Sequence, residues 1–300
     1  MRLLVTGAGG TVGGRLAEVL ARSHDVTALV HRAAAPTGLR TAVADLIEPG
    51  HIERLLDECR PEAVVHCAAF SNADACEREP EAAQRLNVFV PEGLGRSCER
   101  RGIRLIALST DLVLDGNRAL SAETVPIAAT GLVYGRTKRA GEQAVLAASD
   151  RHVVLRIPLM VGRGHGVRGT SSEAVLWALR ARQRPRLFTD QFRSPTDPES
   201  LADLIGCCLA SGAAGLFHGG GGERVSRYEL GVRVARLFAL DPSAIEATAS
   251  ADQPLPRPRD ASLDSGRALR ELGWRPRALD EALLESRPQP ASPATSDLRS

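Results

Sequence analysis

Tyr134 and Lys138 are four residues apart at the start of a segment with helical character, so both side chains are expected on one face of a helix. A phenol titrates at about 10, too high for proton transfer at neutral pH, and a neighbouring ammonium group is expected to lower that pKa. The pair would then exchange a proton with a carbonyl or alcohol oxygen. Lys138 is the only lysine in an arginine-rich chain, which indicates a need for a compact ammonium group.

A second set of polar side chains follows an apolar segment upstream of this pair. Ser109, Thr110 and Asp111 end a strand predicted over residues 104–110. Parallel sheets bind ligands at the carboxyl ends of their strands. A hydroxyl at this position is therefore expected to bind the same substrate oxygen as Tyr134.

A glycine-rich loop lies between the first predicted strand and the first predicted helix. Its sequence is Gly7-Ala-Gly9-Gly10-Thr-Val-Gly13. Gly7 would permit the tight turn, Gly10 would let a pyrophosphate approach the backbone, and Gly13 would let the helix pack closely on the strand. The free amides of the helix N-terminus favour the same anion. The loop therefore predicts a dinucleotide site.

The residues after the second predicted strand bear on which dinucleotide binds. NAD-binding proteins place an acidic residue there to bind the adenosine ribose. This chain has His31 and Arg32 instead, and a guanidinium group can bind a 2′-phosphate in a bidentate manner. NADPH is therefore expected, with NADH as the alternative. Asp45, at the end of the third strand, would accept a hydrogen bond from adenine or simply cap a helix.

The elements that must position these groups alternate along the first two-thirds of the chain. Strands are expected at 2–6, 25–31, 41–45, 63–69, 104–110 and 152–158, with helices near 51–60, 80–101 and 134–149. This alternation predicts a Rossmann-like, doubly wound parallel sheet covered by helices on both faces. We assign 1–158 to a nucleotide-binding domain, 159–284 mainly to a smaller α/β substrate lobe, and 285–300 to a disordered tail. A strand and a helix after residue 158 would return to the first domain.

Composition excludes several other classes of protein. The 38 basic and 36 acidic residues nearly cancel, which argues against a nucleic-acid partner. No apolar run is long enough for a membrane span, and the first strand follows Met1 directly, so a cytoplasmic protein is expected. The six cysteines have no metal-ligand spacing, so free thiols and no metal site are expected. They are Cys59, Cys67, Cys76, Cys98, Cys207 and Cys208.

These motifs together resemble the extended short-chain dehydrogenase/reductases, in the dTDP-4-dehydrorhamnose reductase group. That group also contains the regulatory β subunit of methionine adenosyltransferase. The resemblance covers about residues 2–283 and rests on an ordered series of segments: the glycine loop, Val65-His-Cys-Ala-Ala69, Asn87, Ser109-Thr-Asp-Leu-Val-Leu-Asp-Gly116, Tyr134-Gly-Arg-Thr-Lys-Arg-Ala-Gly-Glu142, Leu155-Arg-Ile-Pro158, Gln191-Phe-Arg-Ser-Pro-Thr196, Gly215-Leu-Phe-His218 and Arg257-Pro-Arg-Asp-Ala-Ser-Leu-Asp264.

The resemblance implies a catalytic triad of Thr110, Tyr134 and Lys138, with Asn87 supporting a water network near the lysine. The expected cofactor-binding residues are Gly7, Gly9, Gly10, Thr11, Val12, Gly13, His31, Arg32, Asp45, Leu46, Cys67, Ala68, Ala69, Asn87, Ser109, Tyr134, Lys138 and Ile157. The expected substrate-binding residues are Asp111, Leu112, Leu159, Gln191, Arg193 and Arg257.

The expected activity is the NADPH-dependent reduction of a keto group, on a 4-keto-6-deoxy sugar nucleotide such as a dTDP-sugar. Two departures from the reductase pattern leave alternatives open. Leu112 and Leu114 stand where the reductases have aromatic residues, and Leu159 lies where they have a tryptophan that packs on the sugar. The alternatives are a tailoring reductase for a ketone or imine without a nucleotide, and a non-catalytic NADP-binding regulatory subunit. A homodimer is compatible with the sequence.

Overall fold

The computed structural model describes residues 1–126, 130–252, 255 and 257–288. Seven of the strands within these residues form one sheet, and every neighbouring pair in it is parallel. The strands are β1 (Arg2–Thr6), β2 (Asp25–Val30), β3 (Arg40–Val43), β4 (Ala63–His66), β5 (Arg104–Thr110), β6 (Val153–Ile157), β7 (Arg186–Phe188), β8 (Phe192–Arg193), β9 (Gly215–His218), β10 (Val225–Ser226) and β11 (Glu246–Thr248). The sheet order is β3-β2-β1-β4-β5-β6-β9.

Helices connect these strands and cover both faces of the sheet. They are α1 (Thr11–Leu20), α2 (His51–Cys59), α3 (Ala73–Arg78), α4 (Pro80–Gln84), α5 (Val90–Arg100), α6 (Val133–Ala148), α7 (Ser171–Arg180), α8 (Pro198–Ser211), α9 (Arg227–Leu237), α10 (Gly266–Leu272) and α11 (Leu279–Leu284). The predicted Rossmann-like α/β fold is confirmed.

Strand β1 shows how the sheet builds a core on each face. Successive side chains of a strand point to opposite faces. Leu3 and Val5 therefore pack with Leu16 of α1 in one buried cluster, whereas Leu4 packs with Leu94 of α5 in another. Because both faces are covered, the strand is apolar throughout rather than alternating, which is typical of parallel sheets.

The chain after residue 158 contributes both to the sheet and to a separate small core. Strand β9 pairs with β6, and α8 packs against α1. Helices α7, α9 and α11 form their own apolar cluster, which includes Leu176, Val234 and Leu283. Two small sheets, β8 with β10 and β7 with β11, complete this second part.

The helical segment predicted near residues 80–101 forms over residues 80–100, but it is not one regular α-helix. A π-helical segment over Arg85–Phe89 lies between α4 and α5. Pro91 supplies the physical reason, because proline has no N–H to donate and its ring clashes with the carbonyl four residues before it. That carbonyl belongs to Asn87, within the π-helical segment.

Several other predicted boundaries also shift. Strand β4 ends at His66, three residues early, because the Thr6 side-chain oxygen accepts hydrogen bonds from the Cys67 and Ala68 amides and draws them out of the strand. A 3₁₀ turn at Ser250–Asp252 follows β11. Part of the predicted tail, residues 289–300, lies outside the described residues.

Candidate active site

The glycine loop joins β1 to α1 at the carboxyl edge of the sheet. Gly7 has a φ of +68°, and a Cβ there would lie 2.7 Å from the Ala68 nitrogen. A Cβ on Gly13 would lie 2.4 Å from the Gly7 oxygen, so side chains at these positions would break the turn. Helix α1 begins after Gly10, which has no side chain to cap it, and its first amides therefore remain available to an anion.

The expected adenosine-binding residues lie together beside this loop. A Cβ on Gly9 would lie 2.6 Å from the Ala33 Cβ, so the segment after β2 touches the glycine loop. His31 Nε2 is 3.6 Å from an Asp45 carboxylate oxygen. Arg32 is exposed and forms no hydrogen bond or ion pair within the part of the chain that the structure describes. A free guanidinium group is therefore available at this end of the loop.

The other expected cofactor residues lie along the same edge. They are Thr11 and Val12 in the first turn of α1, Leu46 buried after Asp45, Cys67, Ala68 and Ala69 directly after β4, Ser109 near the end of β5, and Ile157 at the end of β6.

Thr110, Tyr134 and Lys138 come together where β5 ends and α6 begins. All three side chains are buried. The Thr110 hydroxyl lies beside the Tyr134 phenol and donates to an Asp111 carboxylate oxygen at 3.1 Å. Lys138 Nζ donates to the Leu108 carbonyl oxygen at 2.7 Å. The structure thus unites residues that are separated by up to 28 positions in the sequence.

The expectation that Lys138 lowers the pKa of Tyr134 is wrong in this structure. Burial raises the pKa of the Tyr134 phenol above its ordinary value, and the neighbouring Thr110 hydroxyl opposes this only in part. Lys138 instead directs its ammonium group at Leu108. The phenol is therefore neutral at pH 7, which is the form that donates a proton.

Burial also acts on Lys138 and lowers its pKa from 10.5 to about 8. Glu142, one turn further along α6, opposes this shift through its negative charge. Glu142 is itself fixed by Arg156 of β6, which donates from Nε at 2.9 Å and from Nη2 at 2.7 Å. Sequence spacing predicted the lysine but not this buried ion pair, because the pair depends on how α6 packs against β6.

Asn87 joins three segments around the lysine. Its side chain accepts a hydrogen bond from the Phe70 amide and donates to Thr137 of α6. Its carbonyl lies so close to Gly141 that a Cβ there would be 2.2 Å from the oxygen. Asn87 therefore fixes α6 against the segment that follows β4, and it lines the same narrow cavity as Lys138.

His66 is a further buried group in that cavity that the sequence did not single out. The Thr6 hydroxyl oxygen accepts from two backbone amides, so its proton is donated to His66 Nδ1 at 2.8 Å. His66 Nε2 therefore carries the ring proton, and within the described residues it has no partner. The buried Ser109 hydroxyl also lacks a partner there. Two unpartnered buried groups beside Lys138 are typical of an internal water site.

The expected substrate residues surround the opposite side of Thr110. Asp111 is buried, and its carboxylate lies 3.3 Å from Arg193 Nε. Burial raises the pKa of Asp111, and the Arg193 charge opposes that shift. Arg193 also donates to the carbonyl oxygens of Phe192, Pro258 and Arg259. It therefore holds the segment near 258–260 against Asp111.

The remaining expected substrate residues lie at different depths. Leu112 is in the 3₁₀ turn after β5, Leu159 packs against the second core, and Gln191 is buried before β8. Arg257 forms an ion pair at 3.1 Å with Asp74 of α3. The structure adds Arg227, which the sequence did not distinguish from the many other arginines.

The fold and the site together define the class of protein. A parallel sheet in this order, a glycine loop between β1 and α1, and a Thr–Tyr–Lys cluster at the carboxyl edge are typical of Rossmann-like α/β proteins that bind dinucleotides. The RmlD substrate binding domain model matches residues 1–288, and the chain belongs to that family. The family resemblance predicted from the motifs is therefore confirmed.

The relatives of this chain include proteins named as reductases and proteins named as a subunit of methionine adenosyltransferase. The chain is 33% identical over 268 residues to the dTDP-4-dehydrorhamnose reductase of Mycobacterium tuberculosis, covering 87% of this chain and 83% of the relative. It is 29% identical over 283 residues to methionine adenosyltransferase 2 subunit beta of Pongo abelii, covering 91% and 82%. Sequence similarity therefore extends to an enzyme and to a subunit of another enzyme.

A solved structure confirms the fold. The dTDP-4-dehydrorhamnose reductase of Bacillus anthracis, in complex with NADP, superimposes with a TM-score of 0.83 at 21% identity, covering 95% of this chain and 98% of the other. Among the described residues, no helix combines the length and apolar character needed to cross a membrane.

Proposed function

We propose that the protein is an NADPH-dependent reductase of a keto group, acting on a 4-keto-6-deoxy sugar nucleotide. The observation that carries this proposal is the buried cluster of Tyr134, Thr110 and Lys138 at the edge that also holds the glycine loop. The reductase names of relatives such as that of Mycobacterium tuberculosis support the substrate class.

The residues present fit a phosphorylated dinucleotide. The uncapped first turn of α1 offers amides to a pyrophosphate, and Arg32 offers a free guanidinium group to a 2′-phosphate. A bound NADPH supplies the hydride. The binding of NADP by a structural neighbour is consistent with this choice.

Residues of the protein would transfer the proton and orient the substrate. Tyr134 donates its hydroxyl proton to the carbonyl oxygen as that oxygen gains charge, and Thr110 orients the same oxygen. Lys138 holds positive charge beside them, and Glu142 raises the fraction of lysine that is protonated. The water expected between Lys138 and His66 would return a proton towards the phenol.

A regulatory role is the second candidate, because a methionine adenosyltransferase β subunit aligns over 91% of this chain. A complete Thr–Tyr–Lys set fits such a subunit as well as a reductase. The regulatory role requires NADP binding without reduction of a ketone. Leu112 and Leu114, in place of aromatic residues, also leave room for a ketone that carries no nucleotide.

The test is NADPH oxidation with a dTDP-4-keto-6-deoxy sugar, by wild type and by Tyr134→Phe. We expect turnover by the wild type and a loss of about 10²- to 10⁴-fold in the variant, the usual cost of removing a general acid. The NADPH dissociation constant should be unchanged, which shows that the variant is folded. NADPH binding without turnover in the wild type would support the regulatory role instead.

A further inference from the structure

Three arginines, Arg193, Arg227 and Arg257, lie close to one another near Asp111, and two of them are already engaged. Arg193 pairs with Asp111 and donates to three backbone carbonyl oxygens. Arg257 pairs with Asp74 at 3.1 Å. If either guanidinium group turned fully towards a ligand, it would lose a contact that connects two segments of the protein.

Arg227 differs from both. It is the first residue of α9, directly after β10, and β10 pairs with β8, which contains Arg193. Its backbone amide donates to the Gln191 carbonyl oxygen at 3.0 Å. Its guanidinium group forms no hydrogen bond or ion pair with any residue that the structure describes.

The charges around Arg227 do not balance. Arg193 and Arg257 repel it, and Asp111 is the carboxylate that attracts it. Burial and these two positive neighbours lower the pKa of Arg227 to about 10. Asp111 is already shared with Arg193. A partly buried cation without its own counter-charge is costly, and an anionic ligand would remove that cost.

Resting on the reductase function proposed above, we propose that Arg227 determines the specificity of the cleft by binding an anionic group, a phosphate or a carboxylate, of the carbonyl substrate. A guanidinium group can hold either anion through two parallel hydrogen bonds. Asp111 follows Thr110 directly at the end of β5, so its charge interaction with Arg227 connects this group to the strand end that carries the reacting site. Binding of the anionic group would compensate for the aromatic contacts to the substrate that Leu112 and Leu114 cannot make.

The test measures binding directly and does not require turnover. Calorimetry would follow inorganic pyrophosphate, and separately D-glucuronate as the carboxylate probe, with NADP⁺ added so that the glycine loop is not the site observed. The variants are Arg227→Gln and Arg227→Lys. The matched control is Arg236→Gln, which removes an exposed arginine from the same helix.

We expect one of the two probes to bind the wild type and the Arg236→Gln control equally. Arg227→Gln should weaken that binding by about 10- to 100-fold, as expected for the loss of a charge-assisted hydrogen-bond pair, and Arg227→Lys should weaken it less. The probe that responds identifies the anion. Equal binding to wild type and Arg227→Gln, or no binding of either probe to the wild type, would overturn the proposal. Arg227-dependent binding without ketone turnover would retain the anion site and remove the reductase function.

Discussion

Lys138 is the only lysine in the chain, so its ionisation can be measured without interference from other side-chain amines. Burial lowers its pKa from 10.5 to about 8. At pH 7 the side chain of Lys138 would then be a neutral, reactive amine in about one-tenth of the molecules. For an ordinary lysine that fraction is about one in 3,000. The assay is competitive acetylation with acetic anhydride as a function of pH, with Lys138 identified by peptide mapping. The midpoint of the pH dependence of acetylation gives the pKa of Lys138, because limited access of the reagent lowers the rate of acetylation but does not move its midpoint.

The predicted midpoint is about 8. Glu142→Gln should lower it further, because the variant removes the negative charge that favours the ammonium form. Lys138→Arg is the control, since only the N-terminal amine then reacts. A midpoint near the ordinary 10.5, or an upward shift in Glu142→Gln, would refute the conclusion that burial and Glu142 together set the charge of Lys138.

The same shift has a consequence for stability. Between about pH 8 and 10.5 the unfolded chain binds more protons at Lys138 than the folded protein does, so this residue makes the free energy of unfolding rise with pH. The difference of about 2.5 pKa units corresponds to a contribution of about 3 kcal/mol over that window. Urea denaturation of wild type and Lys138→Arg across this range isolates the contribution.

Two other predictions concern the cofactor and the buried ion pair. Arg32→Ala should lose a preference for NADPH over NADH, because the exposed guanidinium group is the one available to a 2′-phosphate; calorimetric titration that finds the preference unchanged would remove Arg32 from the site. Glu142→Ala should lower the free energy of unfolding in urea by about 3–5 kcal/mol, because Arg156 would be left buried and unpaired; a cost below about 1 kcal/mol would contradict the importance of the pair.

The sequence was sufficient for the parts of the site that depend on short spacing. The glycine loop between β1 and α1, and the four-residue spacing of Tyr134 and Lys138, each follow from local geometry. The order of apolar strands and amphipathic helices likewise predicted the parallel sheet. Each of these features is determined within one element or between consecutive elements.

Contacts that depend on packing between elements could not be predicted in the same way. Glu142 meets Arg156 only because α6 packs on β6, and Arg227 is distinguished by combining burial with the lack of a partner among the residues that the structure describes. The direction of the Tyr134 pKa shift also required the structure, since it depends on burial outweighing neighbouring groups. The π-helical segment before Pro91 depends on competition between proline geometry and a pattern that favours a regular α-helix.

The central claim is that the chain catalyses hydride transfer to a ketone with Tyr134 as the proton donor. The most direct measurement uses NADPH that carries deuterium at both C4 positions of the reduced nicotinamide, with a dTDP-4-keto-6-deoxy sugar as substrate and mass spectrometry of the product. The account predicts one deuterium on the new carbinol carbon in the wild-type product, with this product nearly absent from Tyr134→Phe. A product without deuterium at that carbon, or equal deuterium transfer by Tyr134→Phe, would contradict it.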